Sequence, residues 1–247
     1  MIILSILFLI TAILYSSVGF GGGSTYLALL LIWEIPYYIF PVLALICNII
    51  VVTGNSINYI KAGNFNLKIL TPYLIGSIPF AFIGGSINVD KEIFEIILFI
   101  VLSLAGLLLL ISSNSYDGSF KIRLMPNYIS ILIGSTLGLL SGIVGIGGGI
   151  FLSPIMFLLK TGYPRQIATT ASLFILINSI SGVFGQLTKQ NVMNDIISYW
   201  PLFITVLLGG HIGNFLNLKI FSNKLLAIIT SGLVMFVALR IGLKIYS

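Results

Sequence analysis

Val18-Gly19-Phe20-Gly21-Gly22-Gly23-Ser24-Thr25 lies midway along an apolar stretch covering residues 2–33, and Val144-Gly145-Ile146-Gly147-Gly148-Gly149 lies midway along another covering 128–159. Each places four glycines in five positions. That costs a helix about 1 kcal/mol per glycine relative to alanine and frees backbone N–H and C=O groups that the helix would have used. How the chain tolerates such a break depends on its solvent, and the composition names that solvent.

Of 247 residues, 58% are apolar and 7% charged, with a mean hydropathy of +1.15. A soluble domain carries about a quarter charged residues, so this chain cannot clothe a water-facing surface. Uncharged apolar stretches recur from end to end, each near the roughly 20 residues that cross a hydrocarbon core as helix. The expected fold class is an all-α integral membrane protein. The net charge of +6 would raise nucleic-acid binding in a soluble protein. Here the charges stand singly or in pairs between apolar segments, so they read as topology signals and no nucleic acid is expected. The single cysteine, Cys47, sits in an apolar run and excludes an internal disulfide or a cysteine metal site. The first residues lack the positive start of a signal peptide, and apolar character resumes after Gly23, so a retained membrane segment is expected.

Eight apolar segments are expected, at about 2–33, 36–60, 69–88, 93–112, 128–159, 164–187, 196–217 and 225–246. The polar stretch 113–127 falls near the middle and divides a first transmembrane repeat, 1–112, from a second, 128–247. The two glycine motifs match at an offset of 126. Pro36 then matches Pro164, Gly54 matches Gly182 and Lys61 matches Lys189 at 128, while Pro72 matches Pro201, Gly84 matches Gly213 and Asn88 matches Asn217 at 129. This ordered set points to duplication, a habit of transporter folds.

If each glycine-broken segment crosses once, Lys and Arg divide 7 against 5 between the two faces. If each turns back at its glycines, eight basic residues (Lys61, Lys68, Lys121, Arg123, Lys160, Arg165, Lys219 and Lys224) share one face and four the other. The second arrangement gives the clearer positive-inside bias. It also makes the halves inverted and leaves both termini outside.

Non-helical backbone at membrane depth survives only where protein buries it or a polar cavity faces it. The freed amides, with the positive N-terminus of the following half-helix, suit an anion, and glycine lets a ligand approach the backbone closely. The competing reading is tight helix contact through small residues. The matched pair of motifs favours a site over simple packing. A nucleotide phosphate loop is strongly disfavoured, because no Lys-Ser/Thr follows the glycines and no strand precedes them.

The pair of Gly-x-Gly-Gly-Gly motifs, Pro154, the stretch Pro164–Gly182 (PRQIATTASLFILINSISG) and the two-half layout resemble the sulfite exporter TauE/SafE family across essentially the whole chain. That resemblance implies a multi-pass carrier of small anions, often oxidised sulfur compounds or organosulfonates. One departure is that Pro154 is matched near Ala28 in the first half, so the two breaks need not be equivalent.

Polar residues within the segments are the remaining candidates. Asn48, Asn55 and Asn58 can share one face of segment two. Segment six carries Thr169, Thr170, Ser172, Asn178, Ser181 and Gln186. Such groups face a bundle interior, where interhelical hydrogen bonds explain each as well as ligand contact does. His211, the only histidine, reads more readily as a neutral hydrogen-bonded residue than as a proton relay. No carboxylate falls well inside a segment, which argues against carboxylate-based proton coupling. Pro72, Pro79 and Pro201 are expected to kink segments three and seven. Trp33, Tyr37, Tyr38, Tyr199 and Trp200 stand at segment ends as interfacial anchors do.

The expected function is transport of a small anion, a sulfur-containing oxyanion or organosulfonate, by alternating access between the two repeats; a passive anion channel is the alternative. The expected substrate-binding residues are Gly21, Gly22, Gly23, Ser24, Thr25, Asn48, Gly147, Gly148, Gly149, Thr170 and Ser172. No intramembrane protease or hydrolase motif is present, so no enzyme is expected, and neither a metal nor a cofactor. The expected partners are the anion and the lipid bilayer of the cell (inner) membrane, with a homodimer open as an assembly.

Overall fold

The computed structural model describes residues 1–112 except 18, then 122–123, 125–189 and 195–216, with short helical pieces between 231 and 243. Nine α-helices run through the continuous part: α1 (Ile2–Ser16), α2 (Gly23–Ile32), α3 (Phe40–Lys61), α4 (Leu67–Ser86), α5 (Lys91–Ser112), α6 (Asn127–Val144), α7 (Gly149–Leu158), α8 (Pro164–Gln186) and α9 (Trp200–Leu216). Short 3-10 turns, Tyr37–Ile39 and Ile197–Tyr199, lead into α3 and α9. Among the described residues there is no strand.

Five of these regions, Tyr37–Lys61, Leu67–Ser86, Asn127–Val144, Arg165–Gln186 and Ile197–Leu216, are long and apolar enough to cross a membrane. Segments 2–33 and 128–159 each divide into two helices at the glycines, and most of segment 225–246 lies outside the described residues. The outer faces carry large apolar side chains such as Leu132, Phe184 and Phe215. In water these would form a large exposed apolar surface; against lipid tails they are ordinary.

Lipid gives no hydrophobic drive for helices to associate, so the bundle is held by close packing at small residues. Gly134, Gly138 and Gly142 lie one turn apart on α6. A Cβ on these three would strike the carbonyl oxygens of Tyr73, Ser77 and Ala81, which lie one turn apart on α4. Gly84 of α4 abuts the Leu139 carbonyl of α6, and Gly213 of α9 abuts the Ile13 carbonyl of α1. These two contacts are the same contact in the repeat register, offset by 129 on one helix and 126 on the other.

The prolines behave differently from one another. Pro72 and Pro79 lie inside α4, as expected of a kinked segment. Pro201 is the second residue of α9, where its missing N–H has no helical acceptor to lose, so it is a helix start and not a hinge.

Candidate functional site

Both glycine-broken segments turn back on themselves. Phe8 of α1 stacks on Tyr26 of α2 with ring centroids 4.7 Å apart. In a continuous helix, the 1.5 Å rise per residue would separate them by about 27 Å. Tyr15 and Thr25 share a hydroxyl hydrogen bond of 2.7 Å across the same turn. At the base of the second hairpin the Arg123 amide donates to the Lys160 carbonyl at 2.9 Å, joining the residues that precede α6 and follow α7.

The two hairpins share local conformation. Gly19 and Gly22 have φ of 84° and 85°; their counterparts Gly145 and Gly148 have 91° and 78°. Only glycine takes the left-handed region at little cost, which explains why the motif repeats these glycines. Gly147 has φ 79° while Gly21 does not share that conformation, so the breaks differ at that point. Each hairpin ends on a non-glycine residue at positive φ, Glu34 (52°) and Lys160 (56°), after matched backbone hydrogen bonds from residues 34, 35, 160 and 161. These are the closing bonds of a left-handed helix cap.

The tips of the hairpins meet. A Cβ on Gly23 would lie 2.6 Å from the Ile146 carbonyl oxygen, so the breaks touch backbone to backbone. Asn48 of α3 is inserted between them: Gly21 abuts its Oδ1, Gly23 its Nδ2 and Gly147 its Nδ2. Its amide donates to the Ile146 carbonyl at 3.1 Å. Ile175 of α8 occupies the corresponding place from the other half, at an offset of 127, and packs against Gly21, Gly147 and Gly149. The site is thus built on one pseudo-symmetric frame with an amide on one side and a methyl-rich side chain on the other.

Two ten-residue helices, α2 and α7, begin at this meeting point, and neither has a side-chain cap at its N-terminus. The first N–H groups of a helix have no partner within it, and the helix dipole adds a partial positive charge. Around them, Ser24 Oγ, Asn48 Oδ1 and Ser179 Oγ are buried without a hydrogen-bond partner among the described residues. An unsatisfied buried hydroxyl or carbonyl costs roughly 1–3 kcal/mol, and such a group in a native protein calls for an explanation. The arrangement supplies amide and hydroxyl donors, a partial positive charge and, among the described residues, no fixed cation, which is suited to holding a small anion reversibly.

The expected site residues fall into three groups. Gly21, Gly22, Gly23, Gly147, Gly148 and Gly149 form the tips, with Ser24 directly following and Asn48 between them. Thr25 is buried but engaged with Tyr15. Ser172 is bonded to Ser56 at 3.1 Å, and Thr170 is buried on α8, one turn before Phe174, which contacts Gly148. Ala171, between them, has its carbonyl oxygen 3.3 Å from a Cβ on Gly149, so this turn of α8 lies against the second tip while the Ser172 hydroxyl turns to α3. Ser179 was not among the expected residues, yet its Oγ would lie 3.1 Å from a Cβ on Gly147. It lies one turn beyond Ile175, and aligning Asn48 with Ile175 across the repeat was the signal for it. Tyr59 of α3 was missed as well: its ring covers Gly19, 2.6 Å from where a Cβ would stand.

An all-helical, lipid-faced bundle with two helix breaks meeting inside it is the architecture of a multi-pass membrane transporter. A family model for the sulfite exporter TauE/SafE family matches residues 4–241, and the chain belongs to that family. It is similar to a probable membrane transporter protein of Sinorhizobium fredii, 25% identical over 242 residues that cover 96% of each chain. It is also similar to a probable membrane transporter protein of Methanocaldococcus jannaschii, 31% identical over 197 residues, covering 73% of this chain and 70% of the other. No solved structure matches the chain.

Proposed function

We propose that this transporter carries a small anion, a sulfur-containing oxyanion or organosulfonate, through the point where the two glycine breaks meet, by alternating access between two inverted halves. The observation that carries the reading is the pair of unpartnered buried hydroxyls, on Ser24 and Ser179, at two uncapped helix N-termini, with the donor amide of Asn48 between the breaks. Sulfur chemistry enters through the family's name; the site itself argues for an anion held by dipoles.

Inversion is supported by the hairpins. If each returns to its starting face, α3, α4 and α5 make an odd number of crossings, and the second hairpin enters from the opposite face. Tyr37, Asn88 and Lys189 then share one face, and they do line a common cleft. Lys68 and Asn127 share the other, and they line a second cleft. The Lys/Arg count supports a cytoplasmic location for the latter face, with both termini outside. In a Cys47→Ala background, Asn88→Cys and Thr188→Cys, both at exposed positions, are expected to react with an impermeant maleimide from outside, because they share a face only if each broken segment turns back. Labelling of the two from opposite sides would sink the inversion.

Counterflow in proteoliposomes tests the function. A carrier preloaded with unlabelled sulfite or thiosulfate accelerates uptake of the labelled anion, whereas a passive channel does not. Asn48→Leu preserves approximate size but removes the amide N–H groups, one of which holds the Ile146 carbonyl while the other is a donor for the anion. Loss of a hydrogen bond to a charged ligand costs about 1.5–3 kcal/mol, so exchange is expected to fall by roughly 10- to 150-fold. Ser179→Ala should lower it by a smaller factor. Unchanged exchange in both variants would remove the site from the meeting point of the breaks.

A further inference from the structure

A cleft of about 310 Å³ opens beside the second glycine break, and one cation looks into it. It is lined by Tyr37, Pro41, Asn88, Asp90, Gln186 and Lys189, among others. Pro41 connects it to the candidate site, because a Cβ on Gly145, where the second break begins, would lie 2.7 Å from the Pro41 carbonyl oxygen.

Lys189 is half-buried, and the structure holds it deliberately. Gln186 is completely buried; its amide donates to the Gly142 carbonyl at 2.8 Å, which fixes its orientation. Its Oε1 then accepts a hydrogen bond from Lys189 Nζ at 3.0 Å. An ammonium has three N–H donors, and among the described residues Gln186 occupies one of them. Among the described residues no other lysine or arginine lines this cleft.

Resting on the reading of the chain as an anion carrier, we propose that this cleft is a vestibule in which a small oxyanion docks on Lys189 before it reaches the glycine breaks. Burial gives the charge its reach. A half-buried ammonium is screened less by salt than a solvated one, and the exposed Asp90 carboxylate in the same cleft is the more strongly screened of the two. The Asn88 amide and the tyrosine hydroxyl of Tyr37 supply neutral donors at the same wall.

Burial also lowers the Lys189 ammonium from its ordinary value to about 8. Deprotonation removes the charge that draws the anion, so docking is full below that value and lost above it. By linkage, a bound anion favours the charged form and raises the value in return. The other titratable groups at the cleft are Tyr37, Tyr38 and Asp90, with Asp195 accepting a hydrogen bond from the Tyr38 hydroxyl at 2.8 Å. Glu34, Lys91 and Glu95 belong to a neighbouring cleft.

Two measurements on the full chain in lipid nanodiscs or proteoliposomes test this. In the first, lysines are 13C-methylated and the Lys189 resonance is assigned by its loss in Lys189→Arg. Thiosulfate is expected to raise the midpoint of its titration by about one pH unit, a tenfold linkage; a midpoint unmoved by high thiosulfate overturns the vestibule. In the second, Lys189→Met is expected to raise KM for thiosulfate about tenfold with kcat nearly unchanged. Lys189→Arg is expected to keep a low KM that no longer rises above pH 8. A Lys189→Met protein with the wild-type KM at every pH also overturns it. The two readings fail separately: a moving resonance in a protein that carries no anion sinks the carrier and keeps the docking site.

Discussion

Gly148→Leu is expected to insert into the membrane and reduce anion exchange to background. Gly148 is the N-cap of α7, at φ 78°, and a Cβ there would stand 2.8 Å from Phe174 Cε1. The left-handed backbone costs a side-chain-bearing residue roughly 1–2 kcal/mol, and forced overpacking typically adds 1–3 kcal/mol. Both costs fall at the hairpin tip, and the simplest relief is to re-aim the first turn of α7, whose amides line the proposed site. Gly63→Leu isolates the first cost: Gly63 has φ 72° in a loop with nothing within 4 Å of its Cβ position. That variant should lose about 1–2 kcal/mol of stability and retain exchange. Gly148→Ala, with a smaller intrusion on Phe174, should retain a reduced rate. A Gly148→Leu protein that inserts and exchanges normally would reduce the glycine break to packing.

The hairpins were legible because their physical requirements are severe. A left-handed turn admits few residues besides glycine, and lipid admits few ways to hide free amides, so two spaced copies of the motif and a charge count sufficed to expect a return. The azimuth of each neighbouring helix was not legible. Asn48, Thr170 and Ser172 were equally polar, equally apolar in context and equally placed after a broken segment. Only packing decides that Asn48 enters between the tips while Ser172 turns to Ser56. Thr25 likewise looked free until the fold brought Tyr15 beside it, a contact that depends on the angle of the hairpin. Lys189 read as a topology marker because a sequence shows charge but not the depth at which Gln186 holds it.

Gly138→Leu is expected to destabilise the bundle by about 3 kcal/mol or more, the range reserved for overpacked cores. The obstruction is the Ser77 carbonyl oxygen, with the Ser77 Cα 2.7 Å from the Cβ position. Backbone cannot change rotamer, so α4 and α6 must separate, and the Gly134 and Gly142 contacts one turn either side are lost with it. Gly138→Ala should fall between, because its methyl still meets the carbonyl but asks for a smaller displacement. Thermal unfolding in detergent, followed by size-exclusion monodispersity, reads both. The opposite pair supplies the control for the repeat: Gly213 meets the Ile13 carbonyl as Gly84 meets the Leu139 carbonyl. If the halves are mechanically equivalent, Gly84→Leu and Gly213→Leu should destabilise alike. A much milder Gly213→Leu would mean that α4–α6 is the fixed frame and α1–α9 the looser contact, against which the first hairpin moves during exchange.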